Sequence, residues 1–146
     1  MIFNSHSPAD TQKFARGFLQ KLKSKQNLAT VLALSGDLGS GKTTFTQFLA
    51  QNLRVKDQIT SPTFVIEKKY KCSADQEFKN LIHLDCYRLN DSSELLRLDW
   101  LEIVGKPENL IVIEWPERVV DLLPPDTLKL SFHFVDENER RIEVAV

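Results

Sequence analysis

The sequence predicts an α/β fold with a mixed, mostly parallel central sheet, helices on its faces and an antiparallel hairpin at the C-terminal end. Two short runs, 30–34 and 110–113, are apolar throughout, as expected for strands that helices cover on both faces. Two other stretches carry apolar residues at helical spacing, and the final segment, 128–146, alternates between apolar and polar side chains. These patterns favour one sheet built from helix-connected strands and hairpins.

Length and composition suit one globular domain that spans the whole chain, 1–146. Hydrophobic residues make up 42% and charged residues 27%, a balance that excludes wholesale disorder. The net charge of −1 argues against a protein that binds nucleic acid through bulk electrostatics. No apolar run approaches the roughly 18 residues of a membrane span, and no basic segment precedes an apolar one at the N-terminus. We therefore expect a cytoplasmic protein with no membrane partner.

The first part of the chain predicts a helix, a strand and a second helix. Ser7 is a suitable N-cap before Pro8, and the helix continues until the lysine-rich stretch 21–25. A strand over 30–34 follows. After a glycine-rich segment, a second helix extends from about Lys42 to Leu53, with phenylalanine and leucine on its inner face.

The middle of the chain predicts a hairpin and a further helix. A strand from Phe64 to Tyr70, a polar loop and a strand from Leu81 to Tyr87 indicate antiparallel pairing, which makes the sheet mixed. The segment Asp91-Ser92-Ser93-Glu94 is typical of a helix start. We expect that helix to extend through Leu98 and to continue irregularly to Val104.

The last part predicts one buried strand and the terminal hairpin. Leu110 to Ile113 form the strand, and Glu114-Trp115-Pro116 ends it. In the hairpin, 128–134 pairs with 142–146 across the polar turn Asp136 to Glu139.

A phosphate-binding loop is the strongest feature of the sequence. The segment Gly36-Asp37-Leu38-Gly39-Ser40-Gly41-Lys42-Thr43 matches the Walker A pattern and stands between an apolar strand and an amphipathic helix. Glycines let successive backbone N–H groups point at anionic oxygens, and the following helix adds its positive N-terminus. Lys42 supplies a cation to the β- and γ-phosphates, and the Thr43 hydroxyl suits Mg²⁺. The loop therefore predicts a P-loop NTPase-type domain that binds a nucleoside triphosphate with Mg²⁺.

Two acids are candidates for completing this site. A P-loop needs an acid at the end of a neighbouring strand, to hold the metal or a metal-bound water. Glu114 follows four apolar residues in the Walker B shape, with Glu in place of Asp, and Asp85 follows a second apolar strand. The sequence favours a functional role for both and leaves their relative roles open.

Three further residues have plainer interpretations when each is taken alone. Thr63 stands where P-loop GTPases carry a switch threonine, but Ser61-Pro62 is also ordinary turn chemistry. We expect His83 to hydrogen-bond locally rather than to act as a catalytic base. We expect Trp115, an aromatic residue at a strand end before a proline, to pack.

Four segments follow one another in the chain: the Walker A loop with Thr44, then Ser61-Pro62-Thr63-Phe64, then His83-Leu84-Asp85-Cys86-Tyr87-Arg88-Leu89, then Ile113-Glu114-Trp115-Pro116. Taken in this order, they resemble the TsaE family (also called YjeE), small bacterial P-loop ATPases needed for the threonylcarbamoyladenosine modification of tRNA. The resemblance covers nearly the whole chain. Cys86 and Ser40 depart from the residues that many members have, and neither departure removes a donor, acceptor or charge.

The resemblance implies a set of site residues. Those that would bind the nucleotide are Leu38, Gly39, Ser40, Gly41, Lys42, Thr43, Thr44 and Trp115. Thr43 and Glu114 would hold Mg²⁺. Thr63 near the γ-phosphate, Asp85 in hydrolysis and Glu114 at the metal would be the catalytic residues. Residues at about Ser7 to Thr11 would approach the adenine.

The resemblance also implies cofactors and partners. ATP and Mg²⁺ would be the cofactors. Members act with the TsaB–TsaD pair, which transfers the threonylcarbamoyl group to N6 of adenosine 37 in tRNAs that read ANN codons. A member hydrolyses ATP slowly by itself and resets that complex between turnovers, and it would touch tRNA only indirectly.

Three alternatives stay open. A small GTPase is disfavoured because the chain has no D-x-x-G and no N-K-x-D for guanine. A small-molecule kinase usually has an arginine-rich lid and an acceptor pocket, for which this chain has little room. A nucleotide-gated binding module with incidental hydrolysis shares every motif with the ATPase and is hard to separate from it.

Overall fold

The computed structural model describes residues 1–59 and 66–145. In chain order, its strands are β1 (Ile2–Ser5), β2 (Thr30–Ser35), β3 (Glu67–Lys71), β4 (Asn80–Asp85), β5 (Asn109–Glu114), β6 (Leu128–Asp136) and β7 (Glu139–Ala145). Its helices are α1 (Pro8–Lys21), α2 (Lys42–Asn52), α3 (Ser93–Leu96) and α4 (Trp100–Val104). Over these ranges, no helix combines the length and the apolar character that crossing a membrane requires.

One seven-stranded sheet, in the order β1-β7-β6-β2-β5-β4-β3, organises the fold. The neighbours β6, β2, β5 and β4 are parallel, whereas β1, β7 and β3 join through antiparallel pairs. Every residue of β5 is buried, as expected for a parallel strand covered on both faces. The predicted fold class is confirmed: a mixed sheet with a parallel centre and a C-terminal antiparallel hairpin.

The sheet carries a separate core on each face. On one face α1 and α2 pack against the strands through Phe14, Ala15, Phe45 and Leu49. The opposite face is covered by the region of α3 and α4, through Leu95, Trp100 and Ile103. Successive residues of a strand point to opposite faces, so the side chains of β4 and β5 divide between these two cores. The face under α2 is the one that carries the candidate site.

The starts of the first two helices agree with the sequence prediction. The Ser7 hydroxyl accepts a hydrogen bond from the Asp10 N–H at 3.1 Å, and Pro8 is the first residue of α1. The second helix begins at Lys42, as predicted, and ends at Asn52.

Two predicted boundaries are wrong. The strand expected to reach Tyr87 ends at Asp85, because the Tyr87 N–H donates to the Asp85 carboxylate at 3.0 Å and turns the chain. The helix expected through Leu98 ends at Leu96, and the irregular continuation expected to Val104 contains a second short helix, α4. Asp99 lies between the two helices, and its carboxylate pairs with Lys69 of β3.

The two outer strands differ from the prediction in other ways. β1 was not predicted, and it pairs with β7, where Phe3 is opposite Ile142. The strand predicted from Phe64 to Tyr70 is β3, Glu67–Lys71; Ile66 is described and precedes it, and Phe64 lies outside the described residues. Val146, predicted in the last strand, also lies outside them.

We expect Glu67→Gln to stabilise the protein relative to wild type above about pH 7. Burial raises the pKa of the Glu67 carboxyl from 4.5 to about 7, and the neighbouring Asp99 carboxylate adds to the rise. Because the folded-state pKa is above the unfolded value, ionisation of Glu67 lowers the free energy of unfolding as pH rises from 4.5 to about 7. Glutamine keeps a donor for Asp99 and has no proton to lose.

Urea unfolding at acidic and mildly alkaline pH measures this effect. Between about pH 5 and pH 8, the variant should gain about 1 kcal/mol on wild type, less than the full pKa shift implies because Glu67 is partly exposed. The control is Glu117→Gln, which changes an exposed carboxyl. The same pH dependence in wild type and Glu67→Gln would contradict the prediction.

Candidate nucleotide-binding site

The glycine-rich loop between β2 and α2 curls over the first turn of the helix. Gly36 has a φ of 140° and Gly41 a φ of 109°, both in the region that favours glycine. A Cβ at Gly36 would lie 2.4 Å from the backbone oxygen of Phe132, so the loop passes directly against β6. Gly41 is the N-cap of α2, and none of the described side chains caps this end. The N–H groups of the first helical turn are therefore left for an anion.

The Lys42 ammonium lies inside this loop. Lys42 is only 5% exposed. Its Nζ donates to the Gly36 carbonyl and lies 3.4 Å from the Asp37 carbonyl oxygen. Nζ also lies 4.8 Å from the centre of the Trp115 ring. Carbonyl dipoles and a ring face hold the cation in place without neutralising its charge. The ammonium therefore remains able to pair with anionic oxygens.

Two carboxylates lie side by side next to the loop. Asp85 and Glu114 are opposite each other in the parallel register of β4 and β5, at the carboxyl end of both strands. Burial raises the pKa of the Asp85 carboxyl and the charge of Glu114 adds to the rise, while the Tyr87 N–H and the charge of Lys42 oppose it. Because two close carboxylates repel each other, a cation bound between them would be stabilised.

His83 contacts Glu114 from within the sheet. Its Nε2 lies 2.6 Å from the Glu114 Oε2, and both side chains are buried. His83 therefore forms a hydrogen bond, as expected, but its partner is a predicted site residue on the neighbouring strand.

Trp115 follows Glu114 in an uncommon backbone conformation. Its φ of 59° and ψ of 53° are left-handed, a conformation that costs a non-glycine residue on the order of 1 kcal/mol. The indole lies beside Lys42 on one side and packs on the Tyr87 ring, with 4.9 Å between ring centroids. Trp115 thus packs, as expected, and also lies at the loop.

Lys42, the two acids and Trp115 line one cavity of about 430 Å³, a size typical of small-ligand sites. The predicted site residues among its walls are Leu38, Gly39, Ser40, Gly41, Lys42, Thr43, Thr44, Asp85, Glu114 and Trp115. Every predicted site residue within the described ranges therefore meets in one place. Thr63, with the whole segment 61–64, lies outside the described residues.

The other side of the cavity contains residues that the sequence did not indicate. They are Ser5 and His6 at the end of β1, and Glu137, Asn138 and Arg140 at the hairpin turn. Ser7, Pro8 and Thr11, which lie in the range the resemblance indicates, line the cavity as well. From the sequence, the hairpin turn could be predicted only as a polar connection. Its position beside the glycine-rich loop depends on the pairing of β6 with β2, which the sequence does not specify.

The donor set fits Mg²⁺ bound together with phosphate, rather than a metal held by protein alone. Within 1–59 and 66–145, no three His, Cys, Asp or Glu side chains cluster as a metal centre. Thr43 and Glu114 both line the cavity, and Mg²⁺ takes hydroxyl and carboxylate oxygens together with waters and phosphate oxygens. The buried Ser40 hydroxyl has no hydrogen-bond partner among the described residues, so the loop also has an uncommitted donor.

The fold and the glycine-rich loop define a P-loop domain of the α/β class. The sequence model of one family within this class, described as Threonylcarbamoyl adenosine biosynthesis protein TsaE, matches residues 5–142. The chain belongs to the TsaE family, and the predicted family is confirmed.

Individual relatives agree with this assignment. A protein of Aquifex aeolicus named tRNA threonylcarbamoyladenosine biosynthesis protein TsaE is 35% identical over 140 residues, covering 94% of this chain and 90% of the relative. A protein of Streptomyces coelicolor with the same name is 42% identical over 103 residues, covering 68% of this chain and 66% of the relative. The crystal structure of YdiB from Bacillus subtilis superposes with a TM-score of 0.71 at 28% identity, covering 100% of this chain and 85% of YdiB.

Proposed function

We propose that this chain is a Mg²⁺-dependent ATP-binding and ATP-hydrolysing accessory protein of the complex that installs threonylcarbamoyl on N6 of adenosine 37 in tRNAs reading ANN codons. The names of the relatives support the tRNA modification. The observation that carries the nucleotide part is the convergence of Lys42, Asp85 and Glu114 on one cavity beside the loop. In this proposal the chain acts in the cytoplasm with TsaB and TsaD, resets that pair between turnovers, and touches tRNA only indirectly.

Nucleotide binding would use the loop and the start of α2. Lys42 pairs with the β- and γ-phosphates, and the N–H groups of the first helical turn donate to phosphate oxygens. Thr43 and Glu114 are the residues that would hold Mg²⁺. When bound, the metal neutralises charge that develops on the phosphates during transfer to water. Trp115 closes the cavity beside the lysine.

Hydrolysis would depend on Asp85. Its Oδ1 accepts the Tyr87 N–H at 3.0 Å, and its second oxygen is suited to accept a hydrogen bond from the attacking water. Glu114 is already engaged by His83 and assigned to the metal, so Asp85 is the acid left for the water. Thr63 near the γ-phosphate would complete the site, and this role is carried over from the family.

Reconstituted tRNA modification tests the proposal. Purified TsaB and TsaD, the threonylcarbamoyl donor and excess tRNA are incubated with ATP and Mg²⁺, with and without this chain. With the chain, we expect many modified tRNAs per TsaD, because the complex is reset after each cycle. Without it, product should level off near one per TsaD. Repeated turnover in the absence of the chain would refute the accessory role.

A second arm separates the ATPase from a nucleotide-gated binding module. The same reaction is run with a non-hydrolysable ATP analogue in place of ATP. We expect no multiple turnover with the analogue, because resetting requires hydrolysis. Full turnover with the analogue would favour the binding module, in which nucleotide binding alone acts on the partner.

A further inference from the structure

We infer that His83 is a positioning residue for Glu114, whose carboxylate it orients so that the site binds Mg²⁺ with full affinity. The inference rests on the proposed function, since it takes Glu114 as a ligand of the metal. It concerns a contact between two buried side chains of this chain.

The geometry is that of a short hydrogen bond in a dry environment. The His83 Nε2 and Glu114 Oε2 are 2.6 Å apart, and the two side chains are 0% and 5% exposed. An ionised carboxylate can only accept, so in this pair the imidazole would donate the proton from Nε2. A hydrogen bond to an ionised group in a buried site is stronger than a neutral one, and it restricts rotation of the carboxylate.

The register of the strands decides the direction of this contact. His83 is opposite Val112 in the parallel pair, whereas Glu114 is opposite Asp85 at the strand ends. The imidazole therefore approaches Glu114 from deeper in the sheet, away from the cavity mouth. Glu114 lines the cavity and His83 does not. His83 thus engages one carboxylate oxygen from behind and leaves the other for the cavity.

Packing alone does not account for a histidine at this position. The flanking residues of β4, Leu81, Ile82 and Leu84, are buried and aliphatic, and an aliphatic side chain would avoid desolvating an imidazole. The His83 Nδ1 is buried and has no hydrogen-bond partner among the described residues. No second hydrogen bond within the described residues holds the ring, so the polar function of this side chain is directed at Glu114.

Two amide variants separate a positioning role from a merely structural one. In His83→Gln the amide nitrogen can occupy roughly the place of Nε2, whereas in His83→Asn it corresponds to Nδ1 and cannot reach Glu114. Both variants are polar and of similar size. Loss of a residue that orients a metal ligand typically weakens metal affinity by about 10- to 100-fold.

The measurement is the Mg²⁺ concentration at half-maximal binding of a fluorescent ATP analogue, with a parallel titration in EDTA. We expect His83→Gln to stay within about 3-fold of wild type and His83→Asn to need about 10- to 100-fold more Mg²⁺. Affinity in EDTA should be the same in all three proteins, because His83 does not line the cavity. Equal Mg²⁺ requirements for the Gln and Asn variants would overturn the inference.

A second measurement uses the nucleotide-free protein. In ¹⁵N-histidine-labelled wild type, NMR should show His83 with an exchange-protected proton on Nε2, and Glu114→Ala should remove that protection. A proton on Nδ1 alone would overturn the inference even if the Asn variant did not fold. If wild type binds nucleotide without any Mg²⁺ dependence, the metal role falls together with the proposed function. The NMR result then still decides separately whether His83 orients Glu114.

Discussion

Lys42→Ala should weaken ATP binding by at least about 100-fold. Hydrogen bonds to charged groups contribute roughly 1.5–3 kcal/mol each, and Lys42 would make more than one to the phosphates. A 100-fold loss corresponds to about 2.7 kcal/mol, which losing two such bonds exceeds. The alanine variant leaves the helix N-terminus intact, so the residual affinity measures what the backbone N–H groups contribute. Isothermal titration with Mg²⁺ and ATP measures both affinities.

Thermal unfolding gives an independent measure of the same loss. Ligand at about 100 times its Kd stabilises the folded state by about 2.7 kcal/mol, which is roughly 5–10 °C in Tm for a chain of this size. Wild type should show that shift with Mg²⁺ and ATP, and Lys42→Ala should not. Lys42→Met is the matched variant, since it keeps the buried stem and loses only the charge. Lys56→Ala, at an exposed lysine outside the cavity, should behave as wild type. An unchanged affinity in Lys42→Met would remove the loop from the proposed site.

The parts of the fold that the sequence predicted well have local causes. The glycine at position 36 and the lysine at position 42 fix the loop and the start of α2, because the backbone conformation and the helix start are decided within a few residues. The uniformly apolar run before Glu114 predicts a central strand for the same reason. The Ser7 cap and Pro8 define the start of α1. Each of these features is stabilised by neighbours in the sequence.

The parts that were missed depend on distant contacts. β1 is four residues long and is a strand because it pairs with β7 near the other end of the chain. The helix expected through Leu98 ends earlier, at Leu96, and a second helix begins after Asp99, whose side chain pairs with Lys69 of β3. β4 ends at Asp85 because of the Tyr87 turn, although the sequence beyond it is still compatible with a strand. The hydrophobic periodicity within these segments does not show where they pair or where they end.

The candidate site shows the same division. The loop residues are contiguous, and the sequence placed them together without knowledge of the sheet. The two acids and His83 come together only because β4 and β5 are neighbours with Asp85 opposite Glu114, a register that neither strand specifies alone. The hairpin residue Arg140 reaches the cavity through the order β7-β6-β2. The contacts between site residues on different strands therefore could not be predicted from the sequence, because they depend on the strand order.

Glu114→Ala should reduce Mg²⁺-dependent ATP hydrolysis by about two to three orders of magnitude, with a much smaller effect on nucleotide affinity measured in EDTA. The metal would lose its carboxylate ligand, whereas Lys42 and the helix N-terminus would still hold the phosphates. Removing the acid also leaves His83 without its acceptor, so some loss of stability is expected as well. Glu114→Gln controls for this, because its amide oxygen still accepts the His83 hydrogen bond while the charge is gone. Phosphate release, measured across a range of Mg²⁺ concentrations, compares the variants.

Asp85→Asn decides between the two acids. If Glu114 holds the metal and Asp85 acts on the water, Asp85→Asn should lose hydrolysis while its Mg²⁺ requirement for nucleotide binding stays near that of wild type. Glu114→Gln should instead raise that requirement, because the site has lost a charged ligand. The opposite pattern, with normal turnover in Glu114→Gln and a raised Mg²⁺ requirement in Asp85→Asn, would move the metal to Asp85. The two carboxylates are opposite each other at the ends of adjacent strands, so their positions in the sheet do not show which one binds the metal. The Mg²⁺ requirement of the two variants distinguishes the two roles.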